Sequence, residues 1–288
     1  MSFFKFLFKL GIKKIIIKLI RMSKTIFITG TSSGIGKATA KYFHEKGWKV
    51  IATMRTPEKE TELNKLENVI LLPLDVTNLE QINETVEKAI TIGVDVVFNN
   101  AGYGLVGALE ALSDEKITKM LNTNLLGVIR ITKAFIPYFR KKKSGMFITT
   151  TSLGGFVGFP IYSIYHASKF ALEGWSESLS FELSKFNINV KTIAPGYIHT
   201  DFITRSLDKN SHPEYKDIED KILGGKDEES MKQCTTPEEV APIVYEAATD
   251  GKDQIRYVVG KDAIGLQQRQ LEIGRENLRK EISKQFGL

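Results

Sequence analysis

The sequence predicts a doubly wound α/β domain with a seven-stranded parallel sheet, and three observations carry that expectation. From Thr25 onward, short apolar runs alternate with longer amphipathic stretches, the pattern of successive βαβ units. The runs VDVVF, INVKTIA and IRYVV are continuous and rich in β-branched residues, as strands covered on both faces require. A glycine-rich turn separates the first run from the first amphipathic stretch, where a parallel sheet of this kind places its binding crevice.

Taken in order, the strands are expected at Thr25–Thr29, Lys49–Thr53, Val69–Leu74, Val94–Phe98, Met146–Thr151, Asn189–Ala194 and Ile255–Val259. Helical periodicity lies near 35–46, 58–66, 79–91, 114–140, 162–186, 237–249 and 262–285. No internal repeat and no linker rich in Pro, Gly or Ser breaks the chain, so a single catalytic domain over 22–288 is expected. The polar stretch 201–235 reads as an insertion after the sixth strand, long enough to serve as a substrate loop.

Composition narrows the function classes. With 288 residues, 42% hydrophobic and 26% charged, the chain is of globular type. Cys234 is its only cysteine, so no intramolecular disulfide and no cysteine-based zinc site can form, and a reducing, cytoplasmic setting is expected. Four histidines offer no convincing metal cluster. The net charge of +6 equals the contribution of Lys5, Lys9, Lys13, Lys14, Lys18 and Arg21, leaving the rest balanced and without a basic stripe for nucleic acid. No apolar run in residues 1–21 exceeds three residues, far short of the roughly 20 a spanning helix needs. Two readings stand for this extension: a basic tail that touches a membrane surface, or sequence outside the fold, which then starts at Met22.

Two motifs carry chemistry. In Thr29-Gly30-Thr31-Ser32-Ser33-Gly34-Ile35-Gly36, Gly30 lets the chain turn off the strand, Gly34 allows close approach of a pyrophosphate, and Gly36 lets helix and strand come together. Ser32, Ser33, Ile35 and the three glycines are the candidate phosphate contacts, supported by the positive end of the helix dipole. In Tyr165-His166-Ala167-Ser168-Lys169, the i, i+4 spacing puts Tyr165 and Lys169 on one helix face. A unit positive charge about 4 Å from a phenol contributes roughly 4 kcal/mol at an effective dielectric of 20, on the order of three pKa units downward. That would bring Tyr165 into the range for general acid–base work. A tyrosine that merely packs beside a snorkelling lysine is the structural alternative.

Together these motifs resemble the short-chain dehydrogenase/reductase family in its shorter, single-domain Rossmann-type form, over roughly Lys24 to Gly260. The resemblance implies hydride transfer between a nicotinamide cofactor and a carbonyl or alcohol. Tyr165 would act as the proton donor, Ser152 would orient the substrate oxygen, and Lys169 would lower the tyrosine pKa and bind the nicotinamide ribose. Asn124 in NTNLLG would support a proton path to the lysine, with Asn122 as its local competitor. Further cofactor contacts implied are Asp75 near the adenine, Asn99, Ala101 and Gly102 of the NNAG segment, and Pro195, Gly196 and Thr200. Asp75 is equally suited to capping the helix that follows it.

NADP(H) is expected over NAD(H), because Met54 stands where the family usually has an acid and Arg55, which follows, can grip a 2′-phosphate. Phe156, Phe159, Tyr162, Tyr197 and Phe202 flank the motifs, favouring a bulky hydrophobic carbonyl or alcohol of steroid or retinoid type. A homodimer or homotetramer is implied by resemblance. The alternatives are a catalytically silent dinucleotide sensor and a sugar epimerase; the second differs in glycine spacing.

Overall fold

The computed structural model describes residues 23–198, 207–224 and 234–288. Its main sheet has seven strands, all parallel: β1 (Thr25–Thr29), β2 (Lys49–Met54), β3 (Val69–Pro73), β4 (Val96–Asn99), β6 (Gly145–Thr150), β7 (Ile188–Pro195) and β9 (Arg256–Val259). Their order is β3-β2-β1-β4-β6-β7-β9. The chain therefore runs outward from β1 to one edge, returns to β4 and runs outward to the other. That reversal opens a crevice beyond the carboxyl ends of β1 and β4.

Helices cover both faces: α1 (Gly34–Glu45), α2 (Leu79–Ile92), α3 (Asp114–Leu121), α4 (Gly127–Lys142), α5 (Ser163–Ser184), α6 (Lys216–Leu223), α7 (Pro237–Thr249), α8 (Lys261–Ile273) and α9 (Arg275–Phe286). Alternation along β1 feeds two cores. Ile26 and Ile28 join Phe43 of α1 and Val240 and Val244 of α7 on one face. Phe27 joins Phe135 and Phe139 of α4 and Leu179 of α5 on the other. Phe27, Phe43, Phe98, Phe135, Phe139 and Phe147 are all fully buried, each contributing roughly 1.5–3 kcal/mol of burial free energy. Lys191 of β7 is also buried, its ammonium 2.8 Å from Asp250 and 3.0 Å from the Tyr257 hydroxyl.

The expected strands all appear, and three helical expectations are corrected. Residues 58–66 form two 3-10 turns, Pro57–Lys59 and Leu63–Lys65, because the buried Glu60 carboxylate accepts from the Glu62 and Leu63 amides in place of a helical ladder. The pattern at 114–140 divides into α3 and α4 around a π-turn, Asn122–Leu126. The pattern at 262–285 breaks at Gly274, whose φ of +80° ends α8 and begins α9.

The 201–235 stretch holds structure of its own. Leu207–Lys209 forms β8, parallel to β5 (Gly104–Val106), and α6 follows. Lys116 of α3 ties this piece down through Asp208 and Asn210. The tail 1–21, Thr200 and Phe202 lie outside the described residues.

Candidate active site

The floor of the crevice is the turn between β1 and α1. A side chain at Gly30, whose φ is +72°, would place its Cβ 2.8 Å from Ala101 Cα, and one at Gly36 would lie 2.6 Å from Asn100 Nδ2. Both glycines are therefore demanded by the closeness of the turn to the segment after β4. Ser32 and Ser33 are exposed, and the Ser33 side chain does not cap α1. The first amides of α1, together with its dipole, are thus available to an anion, so the turn fits the pyrophosphate of a dinucleotide.

Thr29 and Asn100 staple this floor together. Thr29 Oγ1 accepts from the amides of Asn100 (2.9 Å) and Ala101 (3.0 Å), while Asn100 Nδ2 donates to the carbonyls of Thr29 and Gly30. Thr150 at the end of β6 donates to Asn100 Oδ1. Sequence reasoning named the NNAG segment but did not single out these two side chains. A threonine at the strand tip, 71 residues before the second asparagine, carries no local signal. Asn99 turns the other way, its buried amide donating to Thr132 of α4, so its side chain does not face the crevice.

Asn124 and Asp75 also have partners that sequence did not show. The Asn124 amide closes a ring on one residue, accepting from Tyr103 N (3.0 Å) and donating to Tyr103 O (2.8 Å), and a Cβ at Gly102 would sit 3.2 Å from its oxygen. It clamps the segment after β4, next to the crevice. Asn122 is the less buried of the two candidates. Asp75 accepts from the Thr77 amide and hydroxyl, and the cap of α2 is Asn78. Burial pushes the Asp75 carboxyl up, but Thr77 and the charge of Arg55 outweigh it and hold it below its ordinary value. Arg55 is exposed at the end of β2, whereas Met54 is buried in the core.

Ser152, Tyr165 and Lys169 meet at the crevice wall. Ser152 follows β6, and its Oγ accepts from Gly154 N at 3.0 Å. Its hydroxyl lies close enough to the Tyr165 phenol to hold that phenol's pKa back. Lys169 is buried in α5, donates to the Thr150 carbonyl at 2.9 Å, and holds its ammonium 5.7 Å from the centre of the Tyr165 ring.

The electrostatics correct the expectation for the tyrosine. Burial pushes the Tyr165 phenol above its ordinary value; Ser152 holds it back, and Tyr197 pushes it further up. Burial also pushes the Lys169 ammonium down to about 8, with the Glu173 carboxylate of α5 opposing the shift. Desolvation of both groups outweighs the attraction expected from their spacing.

Across the crevice, β7 ends at Pro195 and turns at Gly196. A side chain at Gly196 would collide with the Asp262 carboxylate, which accepts from the Tyr197 amide at 2.8 Å. Tyr197 is hydrogen-bonded to Tyr162, which links this turn to the start of α5. Phe156 and Phe159 line the loop between Ser152 and α5, within an apolar cluster that includes Leu278 and Ile282 of α9.

The family profile described as short chain dehydrogenase matches residues 24–211. The chain belongs to the short-chain dehydrogenase family. Among its relatives in that family, 3-ketodihydrosphingosine reductase of Bacteroides thetaiotaomicron is 42% identical over 179 residues, covering 62% of this chain and 65% of that protein. Human 17-beta-hydroxysteroid dehydrogenase type 1 is 33% identical over 256 residues, covering 82% and 77%. A solved structure of ElxO with NADP bound superposes with a TM-score of 0.72 at 27% identity, covering 85% of this chain and 100% of that one. Among the described residues no helix is long and apolar enough to cross a membrane.

Proposed function

We propose that this short-chain dehydrogenase transfers a hydride between NADP(H) and a bulky, hydrophobic carbonyl or secondary alcohol. The observation that carries this reading is the convergence of Ser152, Tyr165 and Lys169 at the crevice, with the Ser152 hydroxyl near enough to the Tyr165 phenol to lower its pKa and Lys169 anchored on the Thr150 carbonyl. When bound, the nicotinamide supplies or accepts the hydride. The residues fit such a cofactor: the Gly30–Gly36 turn and the α1 amides would take the pyrophosphate, with the 195–196 turn and Lys169 near the nicotinamide end.

The chain's own residues manage the proton. In the reductive direction, Tyr165 Oη gives its proton to the substrate oxygen while the Ser152 hydroxyl orients that oxygen. The phenolate left behind is stabilised by the Lys169 ammonium, which lies 5.7 Å from the ring centre. A raised phenol pKa suits a donor that must still hold its proton at neutral pH. A silent dinucleotide sensor would gain nothing from burying a lysine beside a serine–tyrosine pair.

Preference for NADP(H) is supported by exposed Arg55 and by apolar Met54 at the end of β2, where no acid opposes a 2′-phosphate. ElxO, a structural neighbour, has NADP bound. A hydrophobic substrate is supported by relatives named for a hydroxysteroid and a ketodihydrosphingosine, whereas Phe156 is buried in the cluster with α9 and Phe159 packs against it, so these two rings do not add to that support.

The test is Tyr165→Phe assayed on a panel of carbonyls and alcohols with both nicotinamide cofactors. Turnover is expected to fall about 100-fold or more, with cofactor binding by fluorescence retained. Equal turnover in the variant would sink the assignment, and turnover of small polar carbonyls alone would reject the hydrophobic substrate.

A further inference from the structure

His166 follows Tyr165 in sequence, is buried, and makes two hydrogen bonds that fix its proton. Its Nδ1 lies 2.8 Å from the Gly154 carbonyl, which can only accept. Its Nε2 lies 3.1 Å from the Phe159 amide, which can only donate. Both bonds exist together in one state of the ring: neutral, with the proton on Nδ1. The imidazole thus clamps both ends of the 154–159 loop against α5. Gly154 is matched to it, because a Cβ there would collide with the ring and come within 3.3 Å of Tyr165 Cε1.

This clamp leads to the reacting atoms. The Gly154 carbonyl is held by His166, and the Gly154 amide donates to Ser152 Oγ. The Gly154 amide thus fixes the Ser152 oxygen beside the Tyr165 phenol, whose pKa Ser152 lowers. A second proton on the imidazole would set Nε2–H against the Phe159 N–H, two donors facing each other.

We propose that neutral His166 is a positioning residue that holds Ser152 in register with Tyr165, and that protonation of the ring releases this hold and slows turnover in mild acid. The proposal rests on Ser152 and Tyr165 handling the substrate oxygen. Its geometry agrees with the direction of the titration, since burial pushes the imidazole below its ordinary value, opposed by the Gly154 carbonyl. The groups around the ring are the phenols of Tyr162 and Tyr165, at 5.7 and 5.9 Å between ring centres, and Lys169 three residues on. Beyond the loop, Arg256 covers Phe156 and pairs with Glu173. The two phenols are held above their ordinary value, and Lys169 is pushed down to about 8.

Two measurements test this. His166→Leu keeps the bulk and loses both bonds, so kcat is expected to fall about tenfold with cofactor affinity unchanged. His166→Asn, smaller but able to donate to Gly154, is expected to recover most of that loss, which a packing role alone would not allow. Both variants are expected to lack the acid limb of the kcat profile seen in the parent. An acid limb that persists in both, or an Asn variant no better than Leu, overturns the proposal.

Nitrogen NMR of histidine-labelled parent protein, with the resonance assigned by its absence in a variant, supplies a readout independent of turnover. The Nδ1–H tautomer titrating below about 6.5 is expected; the Nε2–H tautomer or a higher midpoint overturns the clamp even if a variant fails to fold. If Tyr165→Phe retains full turnover while the tautomer is as described, the functional reading has failed and the clamp has not.

Discussion

Lys169 is held in α5 at a cost to stability, and Lys169→Met measures that cost. Burial brings its pKa down to about 8 in the folded chain, against about 10.4 for a lysine in the unfolded chain. At pH 7 both states are protonated, and the difference corresponds to about 3 kcal/mol of destabilisation. Methionine fills the same space without charge and forfeits the bond to the Thr150 carbonyl, worth about 1 kcal/mol. The variant is therefore expected to be more stable by about 2 kcal/mol at pH 7, a rise of about 4–8 °C in Tm for a domain of this size. The sign reverses with alkali. Between about pH 8 and 10.4 the unfolded chain binds more protons than the folded one, so the parent gains stability as pH rises and the advantage of methionine vanishes near pH 10. Paired melts of parent and variant from pH 7 to 10, taken as differences, isolate this group. A variant less stable than the parent at pH 7, or a difference that does not change with pH, refutes the reasoning.

Asp250→Asn leaves the buried Lys191 ammonium without its counterion; a loss of about 3–5 kcal/mol in denaturant unfolding is expected, and a loss below 1 kcal/mol would contradict it. Arg55→Ala is expected to lower the NADPH-to-NADH ratio of kcat/KM about tenfold or more, read from initial rates with each cofactor; Met54 is left in place because it is part of the core. Deletion of residues 1–21 is expected to leave Tm and turnover nearly unchanged, since the described sheet begins at Thr25, and a large fall in Tm would place the tail within the fold.

Local pattern made the sheet legible. Strands covered on both faces must be continuously apolar, and the helices between them must be amphipathic, so both write their period into adjacent residues. The same holds for the glycines at the tip of β1 and for Tyr165 and Lys169 on one helical face, where spacing is the geometry. The three-residue strands β5 and β8 pair across about a hundred positions, a partnership that no local period records. Residues 58–66 have helical spacing but yield to the buried carboxylate of Glu60.

By itself, then, the sequence determined the parallel α/β class, the glycine turn after β1 and the shared helix face of Tyr165 and Lys169, because each depends on residues close together in the chain. Tertiary structure decided which neighbour each polar group meets and how much water it loses. It turned Asn99 inward and Asn100 onto the glycine turn, gave Asn124 to the Tyr103 backbone, and fixed the His166 proton between Gly154 and Phe159. It also reversed the expected shift of Tyr165. Charge separation along a helix is readable from spacing, whereas desolvation depends on everything packed around the pair, and here desolvation is the larger effect.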